Sequence, residues 1–161
     1  FEEVICFEPY TKSIQCLKNN LNSFTNFKIH SVALSNKVGV KNLYVAKDNV
    51  GASSMAGHNV KGASPIKIST RKLDDYKFEN VDFIKLDVQE HELEVLQGAI
   101  NTLKDNAPIL CVECTTKTSN GIQYVIKVLN FLNQINYELL GIHHKEYIFR
   151  KCIKNEKINC I

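Results

Sequence analysis

Short apolar runs alternate with amphipathic stretches along most of the chain, and this alternation predicts an α/β fold. Three runs are apolar enough to be buried strands: Val4–Phe7, residues 81–87 and residues 109–114. Between the runs, apolar side chains recur at the spacing of a helix that packs one face on a sheet. They do so at Ile14, Leu17 and Leu21, and again at Leu93, Leu96, Ile100 and Leu103.

The remaining apolar runs predict a second strand at residues 27–34, with residues 40–45 pairing back on it as a hairpin partner. Residues 122–135 have the pattern of an amphipathic helix. Residues 137–142 and 147–150 predict a final antiparallel pair of strands. No linker or repeat interrupts the pattern, so we expect one domain over residues 1–161 with a mostly parallel sheet and an antiparallel C-terminal hairpin.

Residues 48–64 contain small and polar residues with three glycines and predict a loop. A loop of this length in a compact domain is usually functional or mobile. Its central part, residues 51–62 with Ser53, Ser54 and His58, is placed to cover a ligand as a lid. An ordinary surface loop explains the same composition equally well.

Composition excludes several classes of protein. The chain has 161 residues and is 44% hydrophobic, enough to bury a core. A net charge of +3 without a basic cluster argues against a nucleic-acid partner, and no apolar run is long enough to span a bilayer. Six cysteines in a chain with a normal core indicate a reducing, cytoplasmic compartment rather than a disulfide framework.

An ordered series of motifs carries a resemblance over nearly the whole chain. It comprises Phe7-Glu8-Pro9, Val32-Ala33-Leu34-Ser35, Leu73-Asp74-Asp75, residues 81–89, residues 92–99, Pro108-Ile109-Leu110, Val112-Glu113 and Tyr137-Glu138-Leu139-Leu140. Together these resemble the FkbM family of methyltransferases. The resemblance implies a class I methyltransferase (Rossmann-like) three-layer sandwich, S-adenosyl-L-methionine as cofactor, and usually methylation of a hydroxyl oxygen.

The sequence departs from the family pattern in two places. Glu90 stands where the family usually has glycine, which changes both backbone freedom and charge. The family's first strand and the glycine-rich loop after it would precede Phe1 and are missing from this chain. We therefore expect a gap between the Val4 and Val81 strands, with two unpaired edges, and a native protein that is longer than this chain.

The resemblance assigns the cofactor to residues at the carboxyl ends of strands, where open α/β sheets bind ligands. Glu8, with Pro9 beside it, is expected to bind the ribose hydroxyls, although its carboxylate also suits a cap on the next helix. Ala33 and Leu34 are expected to contact the adenine, unless they are plain core. Asp87 is expected to face the methionine amine of the cofactor, the substrate hydroxyl or a metal. It is therefore a candidate for cofactor binding as well as for catalysis.

The candidate catalytic residues surround Asp87. Lys85 lies on the same face of the strand and either serves catalysis or forms a structural pair with Asp87. His91 or Asp87 is the candidate base, because a proton must leave the attacking hydroxyl; a surface position explains His91 equally well. Glu92 either caps the helix or joins Asp87 and Glu113 in an acidic cluster that orients a polar substrate or, less favoured, holds a cation. We predict no resident metal.

The sequence therefore predicts an O-methyltransferase whose acceptor is a hydroxyl of a small molecule, sugar or glycan. One alternative is a non-catalytic methyltransferase-like module for binding or assembly, which the missing loop and Glu90 favour. Another is a nucleic-acid ribose methyltransferase that uses Lys85, Asp87 and Glu113, against which the diffuse lysines argue. The pattern predicts no membrane partner and does not indicate an oligomeric state.

Overall fold

The computed structural model describes residues 1–46, 53–55, 64–114 and 121–152. None of the described helices is long and apolar enough to cross a membrane. The elements in chain order are β1 (Val4–Phe7), α1 (Thr11–Asn20), β2 (Phe27–His30), β3 (Ala33–Leu34), β4 (Gly39–Val45), β5 (Ser64–Arg71), a 3₁₀ helix (Leu73–Tyr76), β6 (Phe83–Leu86), α2 (Glu92–Gln97), α3 (Ile100–Asn106), β7 (Ile109–Glu113), α4 (Gly121–Gln134), β8 (Tyr137–His143) and β9 (Glu146–Lys151).

The described strands form three sheets with mixed strand directions. β1 and β2 pair in parallel, and β5 lies between a parallel β3 and an antiparallel β4. The third sheet has the order β6-β7-β9-β8, in which only β6 and β7 are parallel. The mixed α/β fold and the antiparallel β8–β9 hairpin are confirmed, whereas the prediction of one mostly parallel sheet is wrong for these strands.

Two predicted pairings also need correction. Residues 27–34 do not form one strand, because β2 pairs with β1 and β3 pairs with β5. β4 does not fold back on residues 27–34 but pairs with β5 over seven residues, from Gly39 opposite Thr70 to Val45 opposite Ser64. The apolar pattern identified both segments as strand-forming, but it holds no information about which distant strand supplies the hydrogen bonds.

The main core lies on one face of the four-stranded sheet, where α2, α3 and α4 pack. Alternation along β7 sends Leu110 and Val112 into this core, and Cys111 to the opposite face. The fully buried members include Val95, Leu96, Leu103, Val128, Leu132 and Phe149. Burial of these side chains anchors β6, and with it the residues that follow its carboxyl end.

The predicted apolar stripe from Leu93 to Leu103 lies on two helices rather than one. α2 ends at Gln97 with Gly98 as its C-cap, and α3 begins after Ala99, whose methyl group cannot cap the new helix. Asp74 supplies that cap from the 3₁₀ helix: one oxygen accepts from the Asn101 amide at 3.0 Å, and the other from the amide and hydroxyl of Thr102, both at 2.9 Å. The Leu73-Asp74-Asp75 motif therefore has a structural role in starting α3.

Replacing Asp74 with alanine is expected to lower the free energy of unfolding by about 2 kcal/mol, because it removes three hydrogen bonds at a helix start. Urea denaturation followed by circular dichroism measures the change. The matched control is Asp105→Ala, an exposed carboxylate on the same helix, which should change stability by less than about 0.5 kcal/mol. Equal effects of the two substitutions would contradict the capping role.

Candidate functional site

A cleft of about 1040 Å³ lies between β1 and β6. Among the described strands β1 pairs only with β2, and β6 only with β7, so each presents an unpaired edge. The amino ends of the two strands meet where the Phe1 and Phe83 rings lie 6.1 Å apart. The carboxyl ends supply Glu8 and Asp87 to the other end of the cleft. The gap expected between the Val4 and Val81 strands is thus an open space in the structure.

Glu8 lies just beyond β1 and is half-buried in the cleft wall, beside Pro9. Its Oε1 accepts a hydrogen bond from the Tyr10 amide at 2.7 Å, next to the start of α1. Burial raises the pKa of the Glu8 carboxyl, and the hydrogen bond from Tyr10 opposes that rise. One oxygen of the Glu8 carboxylate therefore supports the turn into α1, and the residue also lines the cleft. The cap role and a ligand-binding role do not exclude each other.

Ala33 and Leu34 form β3 and line the cleft from the neighbouring sheet. Both side chains are buried, and each belongs to an apolar cluster, Leu34 to the main core and Ala33 to the cluster around Leu43 and Ile68. Ala33 and Leu34 therefore pack in the core and also give the cleft an apolar surface.

Asp87 is exposed at the carboxyl end of β6, where its Oδ1 accepts a hydrogen bond from Gln89 Nε2 at 2.7 Å. Lys85 also lines the cleft, but its ion pair is with Glu146 of β9, at 2.6 Å, rather than with Asp87. Burial alone would lower the pKa of Lys85, but the hydrogen bond to Glu146 and the nearby negative charges of Cys111, Glu146 and Asp87 together outweigh it, so the pKa is raised. Lys85 is accordingly a charged residue that ties β6 to β9.

The turn after Asp87 is strained. Gln89 and Glu90 have φ values of 50° and 67°, in the left-handed region where a side chain costs about 1–2 kcal/mol relative to glycine. The glycine expected at position 90 would relieve this cost. The Ser54 hydroxyl donates to the Gln89 carbonyl at 2.7 Å and so holds the turn from the side of β4. Strain of this kind is concentrated at functional sites.

His91 follows that turn and is turned away from the cleft, with 5% of the residue exposed. Its Nε2 lies 3.1 Å from the Ser35 hydroxyl, and its Nδ1 lies 3.5 Å from a Glu94 carboxylate oxygen. Burial lowers the pKa of His91 to about 4; Glu94 raises it and Lys41 lowers it further. The imidazole is therefore neutral at pH 7, and it does not reach the cleft as the predicted base would have to.

This burial makes stability depend on pH. The pKa of His91 is about 6.5 in the unfolded chain and about 4 in the fold, so the unfolded state takes up the proton first as the pH falls. We expect the free energy of unfolding to drop by about 2–3 kcal/mol between pH 6.5 and pH 4. Denaturation at a series of pH values measures this slope. His91→Gln, which does not titrate, should flatten the slope, and an unchanged slope in that variant would assign the effect to other groups.

Glu92 and Glu113 lie outside the cleft lining. Glu92 is 1% exposed, and its Oε1 accepts from the Val88 amide at 3.2 Å. Val88 lies in the turn before α2, and the helix start at His91 has no side-chain cap, so Glu92 holds the preceding turn rather than capping the helix. The Tyr124 hydroxyl also binds this carboxylate, and burial raises the pKa of Glu92. Glu113 forms an ion pair with Lys145 at 3.5 Å. Within the described part of the chain no three metal-binding side chains come together, so the acidic cluster with Asp87 is not formed there.

Tyr124 and Ser35 make contacts near the site that the sequence pattern did not predict. The Tyr124 hydroxyl accepts a hydrogen bond from the Leu93 amide at 3.1 Å and also binds the Glu92 carboxylate, so it fixes the start of α2. The sequence signal for this role was a tyrosine on the apolar face of a helix, because a buried tyrosine hydroxyl needs a hydrogen-bond partner. Ser35 was visible only as the end of a motif. Of the predicted lid, Ser53 lines the cleft, whereas Gly51, His58 and Gly62 lie outside the described residues.

Comparison with known proteins gives two matches. A profile of the methyltransferase FkbM domain family matches residues 2–139. No curated protein gives a significant match to the sequence. The crystal structure of the methyltransferase FkbM from Methylobacillus flagellatus KT matches with a TM-score of 0.64 and 21% identity over 93% of this chain. The chain spans 36% of the length of that protein, and at this identity the likeness concerns the fold.

Proposed function

The chain belongs to the FkbM methyltransferase family, and from this premise we propose that it is an S-adenosyl-L-methionine-dependent methyltransferase whose acceptor is a hydroxyl of a small molecule, sugar or glycan. The observation that carries the proposal is the shared lining of one cleft by Glu8, Asp87 and the apolar pair Ala33 and Leu34. A nucleoside joined to a charged amino acid needs this combination of carboxylates and apolar surface. The residues present therefore fit the cofactor that the family implies.

Each cleft residue has a part to play in this proposal. The Glu8 carboxylate accepts hydrogen bonds from the ribose hydroxyls, and Pro9 shapes the strand end beside it. Ala33 and Leu34 contact the adenine through their apolar atoms. Asp87 lies at the end of the cleft nearest the strained turn and binds the polar reacting part, either the cationic amine or the acceptor hydroxyl.

The chemistry requires an oxygen nucleophile and a place for its proton. The bound cofactor would supply an electrophilic methyl group. Of the two groups that Asp87 could bind, the chemistry assigns it the acceptor hydroxyl: Asp87 accepts the hydrogen bond of that hydroxyl and takes its proton as the oxygen becomes the nucleophile. Lys85 acts through its pair with Glu146 by stiffening β6, and Glu92 acts by holding the Val88 amide, so both position Asp87.

The open edges of β1 and β6 extend the proposal. Unpaired backbone groups at two facing edges are costly, and one further parallel strand would pair with both. We propose that an extended segment followed by a glycine-rich turn completes the sheet there, with its turn at the end where Glu8 and Asp87 lie. Residues 1–161 would then be a methyltransferase domain that lacks this N-terminal part.

Calorimetry with S-adenosylhomocysteine tests the function. The chain, and a longer version that carries the additional strand, should bind it, with the longer version binding more tightly. Failure of the longer version to bind would exclude the enzyme and favour a non-catalytic binding or assembly module. The strain at Glu90, which lacks the family glycine, is the observation that supports this second candidate.

The ribose-methylation alternative is weaker than it was on sequence grounds. It needs Lys85, Asp87 and Glu113 in one site, but Glu113 does not line the cleft and both Lys85 and Glu113 are engaged in ion pairs. For the compartment, we propose a reducing cytoplasm, supported by the five described cysteines, all of which are free thiols.

A further inference from the structure

The two sides of the cleft come from different sheets. β3, which supplies Ala33 and Leu34, pairs with β5, whereas β6, which leads to Asp87, pairs with β7. No strand pairing among the described residues links β3 to β6, so contacts outside the sheets, including those of side chains, set the distance between the two binding edges. Ser35 and His91, the residues that follow those edges, meet at 3.1 Å.

The Ser35–His91 contact is buried and directional. Ser35 is 0% exposed, and its amide donates to the Arg71 carbonyl at 2.8 Å, which continues the β3–β5 pairing. Lys41 Nζ donates to the Ser35 oxygen at 3.2 Å, and the same hydroxyl shares a hydrogen bond with His91 Nε2 at 3.1 Å. On the other side of the ring, Nδ1 faces Glu94.

His91 is adjacent to the turn that follows Asp87. It directly follows the left-handed residues Gln89 and Glu90, and its carbonyl accepts the Val95 amide at the start of α2. A strained turn persists only when its surroundings hold it in place. The imidazole is held by Ser35 on one side and the helix on the other, so the turn cannot shift without breaking a buried hydrogen bond.

We propose that Ser35 and His91 are a pair of positioning residues that hold the adenine edge of the cleft, Ala33 and Leu34, at the correct distance from Asp87. The proposal rests on the proposed function, because it concerns how the cofactor cleft is kept in register. Ser35 and His91 touch neither cofactor nor substrate in this role. Their hydrogen bond acts through two backbone segments, because Ser35 directly follows β3 and His91 directly precedes α2.

The test compares Ser35→Ala, His91→Leu and their combination with the conservative His91→Gln, whose side-chain amide can still meet the Ser35 hydroxyl. The control is Gln97→Ala, which removes the 2.7 Å hydrogen bond from Asn36 to Gln97 between the same two segments at an exposed position. Calorimetry measures the affinity for S-adenosylhomocysteine, hydrogen exchange measures protection of the amides of residues 88–91, and thermal unfolding measures stability.

We expect each disrupting substitution to weaken binding about tenfold, and the combination to weaken it no further, because both remove one contact. His91→Gln should stay within about threefold of the parent chain, and Gln97→Ala should match it. Exchange at residues 88–91 should accelerate in Ser35→Ala. Lower thermal stability with unchanged affinity of the folded protein would overturn the proposal, as would additive losses in the combined variant.

The two proposals fail in different ways. Absence of binding by the parent chain and by its longer version would remove the proposed function and the cofactor role of the pair with it. Binding by the parent chain that Ser35→Ala leaves intact would overturn the positioning role alone. Unchanged exchange at residues 88–91 in Ser35→Ala would overturn the physical link between the two segments, whatever the ligand does.

Discussion

Replacing Gly98 with alanine is expected to destabilise the protein by about 3–5 kcal/mol, although the substitution adds only one methyl group. A Cβ at this position would lie 2.1 Å from the Ser35 carbonyl oxygen and 2.9 Å from the Ser35 carbonyl carbon. Both are backbone atoms of the segment that follows β3, so no rotation of a side chain relieves the overlap. Gly98 has a φ of −82°, and its requirement is therefore for space rather than for conformational freedom.

Chemical denaturation of Gly98→Ala and of a control, Gly141→Ala, measures this effect. A Cβ at Gly141 meets nothing within 4 Å, so that variant should stay within about 0.5 kcal/mol of the parent chain. The Gly98 variant also endangers the hydrogen bond from the Asp74 amide to the Gly98 carbonyl, at 3.0 Å. A loss below about 1 kcal/mol would show that the segment at Ser35 moves away easily, which its complete burial argues against.

Replacing Glu8 with glutamine is expected to weaken the binding of S-adenosylhomocysteine about a hundredfold, provided that the carboxylate binds both ribose hydroxyls. Hydrogen bonds to a charged group contribute about 1.5–3 kcal/mol each, and the amide lacks the charge and one of the two acceptor oxygens. Glutamine retains an oxygen for the Tyr10 amide, so the turn into α1 should survive. Calorimetry gives the affinity, and circular dichroism verifies the fold.

The matched control for Glu8 is Glu79→Gln. Glu79 is also a carboxylate in the cleft lining, but it lies at the end of the cleft where β6 begins, away from Glu8 and Asp87. Its substitution should change the affinity by less than about twofold. Equal losses at both positions would indicate that the cleft attracts its ligand by general charge, and the ribose role of Glu8 would have to be abandoned.

The location of the individual elements was largely predictable. The apolar run at Val4–Phe7 is a strand with the predicted bounds, and the pair of strands at the C-terminal end is antiparallel as expected. The amphipathic pattern of residues 122–135 corresponds to α4, Gly121–Gln134. In each case the signal is local, because the periodicity of buried side chains differs between strand and helix.

Predictions that depended on a distant partner were less successful. The apolar stripe at Leu93–Leu103 did not reveal the break between α2 and α3 at Gly98. It also did not reveal the close packing of Gly98 against Ser35, more than sixty residues earlier in the chain. The same holds for β4, whose partner is β5 and not the preceding strand. His91 carried a pattern compatible with a base at a helix start, and only its burial against Ser35 turned it away from the cleft.

The local pattern of residues was enough to predict most of the strands and helices, the family resemblance and the carboxylates that follow the ends of the strands. The folded chain was needed to show that Glu8 and Asp87 share a cleft with Ala33 and Leu34, whereas His91, Glu92 and Glu113 lie outside its lining. The physical reason is the range of the interactions. Periodicity records that a side chain is buried, whereas its neighbours, its hydrogen-bond partner and its charge state depend on segments that meet only in the fold.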